Sequence, residues 1–273
     1  MALQAGEMLM STEHLIADPK ERREVAQEKE RMVLDWLRDE IYSTTAVLAE
    51  KLFISGNRSA TLSTLYRLEK RGFLVRDEIR FMGRRTATLW GITAAGVLEG
   101  VSPDQIATMN LRHHTPGRVS PLTIEHSLDV QRVRIQLEDE EDWLGWVPGR
   151  LLPGQNQRKG HPDRWPVYPD ATAIWPLNGK KYRMAIEVER TRKTPQRYVQ
   201  VIRGHLSSIE AGRYAGVVYF CPTQAQADSL SALFRRLITD NEIVTWWEDE
   251  EMQSPERTIS KIVFRSIEGF KRS

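Results

Sequence analysis

The sequence predicts an α+β protein of two domains, a winged helix-turn-helix followed by an α/β domain built on a mixed central sheet. Three observations carry that prediction. The chain has 273 residues, more than one typical domain needs. Residues 28–100 read as helix, helix, helix, hairpin and short helix, which is the winged layout. The second half alternates strand and helix patterns, the mark of a sheet with at least one parallel crossover.

Residues 1–27 are polar and rich in Glu and Arg, a tail or loosely attached helix. From Glu28 onward, Met32, Val33, Trp36 and Leu37 recur at the spacing of one helix face. Ser43, Thr44 and Thr45 offer hydroxyls to cap a second helix, whose inner face is Val47, Leu48 and Leu52. A third helix runs from Asn57 or Ser59 to Arg71 over Leu62, Leu65, Tyr66 and Leu68, and Gly72 supplies the left-handed residue that ends it. Val75, Ile79 and Phe81, then Thr86, Thr88 and Trp90, alternate around Met82-Gly83-Arg84-Arg85, predicting a hairpin. Thr93 caps the short helix that closes the domain.

Residues 101–120 hold Ser102-Pro103, His113-His114, Pro116-Gly117 and Ser120-Pro121. These breakers place a linker there and leave 121–273 as the second domain. That domain opens with a helix from Leu122 to Glu138, ended by the acidic run Glu138–Asp142. Trp143–Val147 is a strand candidate, and residues 148–166, with four prolines, form a long loop. Strands Ala171–Trp175 and Arg183–Val188, a helix Pro195–Ile209, a strand Gly216–Phe220 and a helix Thr223–Ile238 follow. Ile243–Trp247 and Ile262–Arg265 are late β signals.

Hydrophobic residues make up 40% and charged residues 28%, ordinary for a soluble globular protein. The net charge of +2 excludes a protein coated in basic charge but not local patches. Cys221 is the sole cysteine, which excludes a disulfide framework and a multi-Cys zinc site, and its setting, GVVYFCP, reads as a buried thiol. No stretch approaches the roughly 18 apolar residues of a membrane span. The N-terminus lacks the basic start and apolar core of a secretory signal. The expectation is a soluble cytoplasmic protein with no membrane partner.

The third helix carries Arg58, Arg67, Lys70 and Arg71 beside Ser59, Thr61, Ser63 and Thr64, and the hairpin adds Arg76, Arg80, Arg84 and Arg85. Residues 55–85 hold eight basic side chains against three acidic ones. Small polar and long basic side chains reach base edges and phosphates, so duplex DNA is the expected partner here. Residues 150–205 hold twelve basic side chains against four acidic ones, a surround suited to phosphates. Trp143, Trp146, Trp165 and Trp175 are candidate platforms for unpaired bases, with core packing as the alternative for most of them.

Inside that basic surround lie carboxylates. Asp170 follows Pro169 at a strand start. Glu187 and Glu189, two apart in a strand, share a face with Ala185, while Ile186 and Val188 point to the core. The residues between Asp170 and Glu187 suffice for a strand, a turn at Asn178-Gly179 and a return strand, so a hairpin can set Asp170 beside Glu187. Converging carboxylates repel unless a hard cation or a proton joins them, and oxygen ligands suit Mg²⁺ or Mn²⁺. Two alternatives stand beside this reading: turn chemistry at Pro169-Asp170, and a solvated strand face paired with Arg183, Arg190 or Arg192.

Pro-Asp, a hairpin and Glu-x-Glu resemble the PD-(D/E)xK nuclease superfamily. The ordered set Ile124-Glu125-His126-Ser127-Leu128, Pro169-Asp170, Ile186-Glu187-Val188-Glu189-Arg190-Thr191 and Tyr198 resembles the replication-relaxation family, which includes the MobC-type relaxases of mobilisable plasmids. The resemblance implies a restriction-endonuclease-like second domain that cuts phosphodiesters with metal-activated water. It implies Asp170 and Glu187 as ligands of Mg²⁺ or Mn²⁺, with Glu125 and His126 as a further ligand or base. Glu189 stands where the superfamily has lysine, and Lys193 reaches back for it or Glu189 serves as a further ligand or base. The implied function is a bacterial DNA nickase acting at a transfer or replication origin. Relaxosome or coupling proteins, and a second copy of the chain, are candidate partners. Tyrosine relaxases hold metal with a His-hydrophobe-His pair, which the adjacent His113-His114 do not make, so hydrolysis fits better than a tyrosyl intermediate on Tyr198. The rival is a non-enzymatic relaxosome or replication factor, or a transcriptional regulator, with a degenerate nuclease fold; the missing lysine favours it.

Overall fold

The computed structural model describes residues 17–267 except 53–56, 81–85, 108, 110, 141, 156, 159, 242 and 244–253. The chain divides between Gln131 and Arg132 into two compact units.

In the first unit, α1 (Pro19–Glu40) starts well before Glu28. Asp18 accepts from the Lys20 amide at 2.9 Å and proline occupies the first turn, a strong helix start that assigns residues 19–27 to the helix rather than to a tail. Strand β1 (Tyr42–Thr44), α2 (Thr45–Leu52) and α3 (Arg58–Lys70), capped by Asn57, follow. Strands β2 (Leu74–Arg80) and β3 (Thr86–Ile92) form the expected hairpin, and β1 adds to the other side of β3, giving the order β1-β3-β2. Thr93 caps α4 (Ala94–Leu98). Leu48, Leu52, Leu65, Leu68, Leu89 and Trp90 are buried among these elements, and the Trp90 indole donates to Thr45 Oγ1 at 2.9 Å.

The expected linker is tied to the first unit instead of hanging free. After α5 (Pro103–Ile106), His114 is buried, with its ring 3.0 Å from Asp77 Oδ2 and its amide donating to the Ile92 carbonyl. A Cβ on Gly91 would fall 2.2 Å from that ring, so the contact requires glycine there. The division therefore comes later, within α6 (Ile124–Ile135), whose Gln131 accepts from Ser43 and donates to the Tyr42 carbonyl.

In the second unit, α6 runs on into a single π-turn over Gln136–Glu140. A five-stranded sheet follows in the order β4 (Leu144–Pro148), β5 (Ala171–Leu177), β6 (Lys180–Val188), β7 (Gly216–Cys221), β8 (Ile262–Ser266). The first three strands are antiparallel, while β6, β7 and β8 run parallel, so the sheet is mixed as expected. Helix α7 (Pro195–Glu210) crosses from β6 to β7, and α8 (Gln224–Asp240) and α9 (Pro255–Ser260) lead to β8. Of the late β signals, Ile262–Arg265 lies in β8, and residues 244–247 lie outside the described residues. Among the described residues no helix is long and apolar enough to cross a membrane.

Asn178 and Gly179 both have positive φ, 51° and 73°, the demand of a two-residue hairpin turn. That turn sets the β5–β6 register at Ala171↔Ile186. Gly149, just past β4, fixes Asp170, the residue before Ala171: its amide donates to the Asp170 carbonyl at 2.7 Å, and a Cβ there would meet the Pro169 carbonyl oxygen at 2.1 Å. Gly149→Ala should therefore push the Pro169-Asp170 turn away from β4 and destabilise the protein by about 1–3 kcal/mol. Urea unfolding checks this; an unchanged midpoint would show that the turn is not held by this contact.

Candidate functional site

The register that pairs Ala171 with Ile186 places Asp170, one residue earlier, opposite Glu187. Asp170 Oδ2 accepts from the Val188 amide at 2.8 Å, taking the place of a ladder carbonyl. Glu187 of β6, and Glu189 just past its end, lie on the side of Ala185, which is the side packed under α7 and α8 together with Tyr219 and Cys221 of β7. This corrects the expectation that only Ile186 and Val188 face the core. Both faces of β6 are buried here, as befits the middle of a mixed sheet with parallel neighbours. It also removes the solvated-face alternative: the Glu187 side chain is 15% exposed and that of Glu189 8%.

Around Glu187 stand further polar groups. His205 of α7 is fully buried, with Nε2 3.2 Å from Glu187 Oε1 and Nδ1 2.8 Å from the Tyr214 hydroxyl. Tyr219 lies beside Glu187 in the register of β6 and β7, and its buried hydroxyl has no hydrogen-bond partner among the described residues. Burial pushes the Glu187 carboxyl above its usual range, and the charge of Asp170 adds to that; His205 and Lys193 pull the other way. Lys193 does reach back: its ammonium forms an ion pair with Glu189, four residues earlier. Its backbone amide donates to the Tyr198 hydroxyl at 3.0 Å. Tyr198, in the first turn of α7, is fully buried, and burial raises its pKa.

Glu125 and His126 stand on the first turn of α6, in the first unit. Within the second unit the histidine at Glu187 is His205, which sequence reasoning missed. The signal was available. Tyr198, Ile202, His205 and Ile209 recur at three- and four-residue spacing, and all four are buried. A histidine on such a stripe must find a polar partner inside.

Among the described residues no group of three or more His, Cys, Asp or Glu side chains is disposed to hold a metal ion. The donor set is a pair, Asp170 and Glu187. Mg²⁺ is commonly bound by one or two carboxylates with water and phosphate completing its shell, so two carboxylates do not make an all-protein cage for it.

Helix α3 sorts its side chains differently from the expectation. Thr61 and Thr64 are buried, with their hydroxyls turned back onto the carbonyls of Asn57 and Ala60, so they contribute to packing and not to a DNA face. Arg67 donates to Glu30 of α1 at 2.8 Å; Arg71 donates to Glu30 at 2.7 Å and to Glu99 at 2.6 Å. Arg58, Ser59, Ser63 and Lys70 are exposed, as is Arg80 on β2. Tyr66, expected inside, is 48% exposed and packs edge-on against Trp90. Arg84 and Arg85 lie outside the described residues.

The replication-relaxation family matches this chain over residues 34–218, most of its length. The chain belongs to that family. No curated protein and no solved structure matches it. The replication-relaxation span begins within α1 and ends in β7, so it holds α3, Asp170, Glu187, Lys193 and His205 together. Three of the four tryptophans offered for base stacking are packed away. Trp143, Trp146 and Trp165 are buried, Trp143 stacks on Trp175 at 5.6 Å, and Trp165 stacks on Tyr168 at 5.5 Å.

The buried carboxylate has a measurable cost. A group whose folded pKa is raised favours folding below its unfolded pKa and loses that contribution as pH rises through the folded value. At pH 8 Glu187→Gln should therefore raise the urea midpoint, and the gain should shrink as pH falls and the wild-type carboxyl takes a proton. A midpoint lowered at pH 8 would show that His205 and Lys193 outweigh burial.

Proposed function

We propose that this replication-relaxation protein binds DNA in the replication or mobilisation of a bacterial plasmid or similar mobile element, and that its second unit nicks one strand with Mg²⁺ or Mn²⁺. One observation carries the reading: the β5–β6 hairpin sets Asp170 opposite Glu187, with Lys193 folded back onto Glu189 and its charge felt by Glu187. When bound, the metal supplies Lewis acidity and an activated water. Asp170 and Glu187 are the residues to hold it. His205, itself fixed by Tyr214, steadies the Glu187 carboxylate from the core side. Lys193, paired with Glu189, would have to exchange that partner for the phosphate to take the role the superfamily gives to the lysine that Glu189 replaces. The succession α–β–β–β–α–β from α6 to β7 supports a nuclease-like second unit.

The first unit supports a winged helix-turn-helix reading by its element order and by the antiparallel β2–β3 hairpin behind α3. In that reading Arg67 and Arg71 lock α3 onto α1 through Glu30. Arg58, Ser59, Ser63 and Lys70 are left to meet duplex DNA. A second reading, a non-enzymatic accessory factor, is favoured by the burial of Glu187 against His205.

Purified protein should nick supercoiled plasmid carrying its origin when Mn²⁺ is added. Asp170→Ala and Glu187→Ala should reduce nicking to background while duplex affinity is kept. Lys70→Ala should weaken duplex binding and reduce the slope of log affinity against log salt by about one. Nicking that persists in both carboxylate variants removes them from the chemistry; an unchanged salt slope removes Lys70 from the DNA face.

A further inference from the structure

At the carboxyl ends of the parallel strands β6 and β7, a cavity of about 230 Å³ opens between the loop after β6 and the first two turns of α8. Crevices at this position in parallel sheets are where α/β folds take ligands. Its floor is apolar, made by Tyr198, Cys221 and Leu230, all buried. Burial pushes the Cys221 thiol up to about 11, so the floor carries no charge at neutral pH. Its rim carries Arg190 and Arg192 with the amide of Gln226 and the hydroxyl of Ser229. Arg192 donates to the Ser229 carbonyl at 3.0 Å and to Ser229 Oγ at 3.2 Å, which holds its guanidinium at the mouth. Glu189, the acid on the wall, is already neutralised by Lys193, so the rim is net positive.

We propose that this cavity is a nucleotide subsite that takes one base, with its phosphate, from a single DNA strand. An apolar floor suits the flat face of a base, an amide and a hydroxyl suit its polar edge, and two guanidiniums suit the phosphate. The volume lies below the roughly 300–1,000 Å³ of a pocket for a drug-sized ligand, which limits it to one unit. A base inside a duplex cannot enter such a recess without leaving the stack, so the ligand is an unpaired strand. Because Glu189, on the cavity wall, directly follows β6 and stands two residues after Glu187, the bound nucleotide lies close to the carboxylate pair. This deepens the nickase reading and rests on it only for what happens to the strand afterwards.

The test uses the full-length protein in EDTA, so that no cleavage occurs. Fluorescence anisotropy compares labelled oligothymidylate with an abasic deoxyribose-phosphate chain of the same length. Wild type should bind the base-bearing strand about tenfold more tightly, the scale of one base stacked in a site. Gln226→Trp, at the exposed rim, closes the mouth and should bring thymidylate affinity down to the abasic value. Leu230→Trp, which fills the floor, should do the same if it folds. Arg192→Gln should weaken both strands. Equal wild-type affinity for the two strands, or full thymidylate affinity in Gln226→Trp, overturns the proposal. So does thymidine monophosphate that displaces the strand at equal nucleotide concentration, because the cavity then serves free nucleotides. Nicking is absent from this assay, so the subsite and the nickase reading fail separately.

Discussion

Glu187 is an acid held where its charge is expensive, beside a second acid and under two helices, and the second unit is organised around keeping it there. Its position follows from the hairpin. A one-residue slip of β6 against β5 would turn Glu187 to the opposite face, and the left-handed Asn178-Gly179 turn prevents that slip. Asp170 is then fixed from both sides, by the Gly149 amide on its carbonyl and by the Val188 amide on its carboxylate. His205, Lys193 and Tyr214 are the compensating groups. An interior that spends stability on paired acids, with a buried tyrosine hydroxyl left unsatisfied beside them, departs from ordinary core packing in the way functional sites do.

The first unit shows a complementary division of labour among its cations. Arg67 and Arg71 answer Glu30, which is 9% exposed, so their charges go to holding α3 against α1. Arg58 and Lys70, at the two ends of the same helix, point outward with the small side chains of Ser59 and Ser63 between them. Net charge counted along the sequence does not separate these roles; the position of Glu30 across the helix pair does.

Much of the fold was legible because it rests on local rules. Alternation marked β5 and β6, Asn-Gly marked their turn, Pro195 and Thr223 marked the starts of α7 and α8, and the pairing of Asp170 with Glu187 followed from counting. What was missed depended on tertiary contacts. Two glutamates made one face of β6 look polar, yet the helices cover that face and both sides of the strand are buried. Thr61 and Thr64 look like DNA-reading residues, yet a threonine can satisfy its hydroxyl on its own helix and bury its methyl group. The residues around His114 look like a linker because they are rich in breakers, yet Asp77 and Gly91 receive that histidine. His205 was hidden among apolar neighbours, and only its partners Glu187 and Tyr214 show why it is there.

The central claim is that Asp170 and Glu187 form one divalent-ion site completed by a DNA strand. Electron paramagnetic resonance of Mn²⁺ tests it directly, by titrating the ion into protein bound to a single strand whose linkages resist cleavage. The account predicts uptake of one Mn²⁺ per chain that needs the strand and is lost in Asp170→Asn and in Glu187→Gln. Uptake that is absent in the wild type, or that survives in both variants, would contradict it.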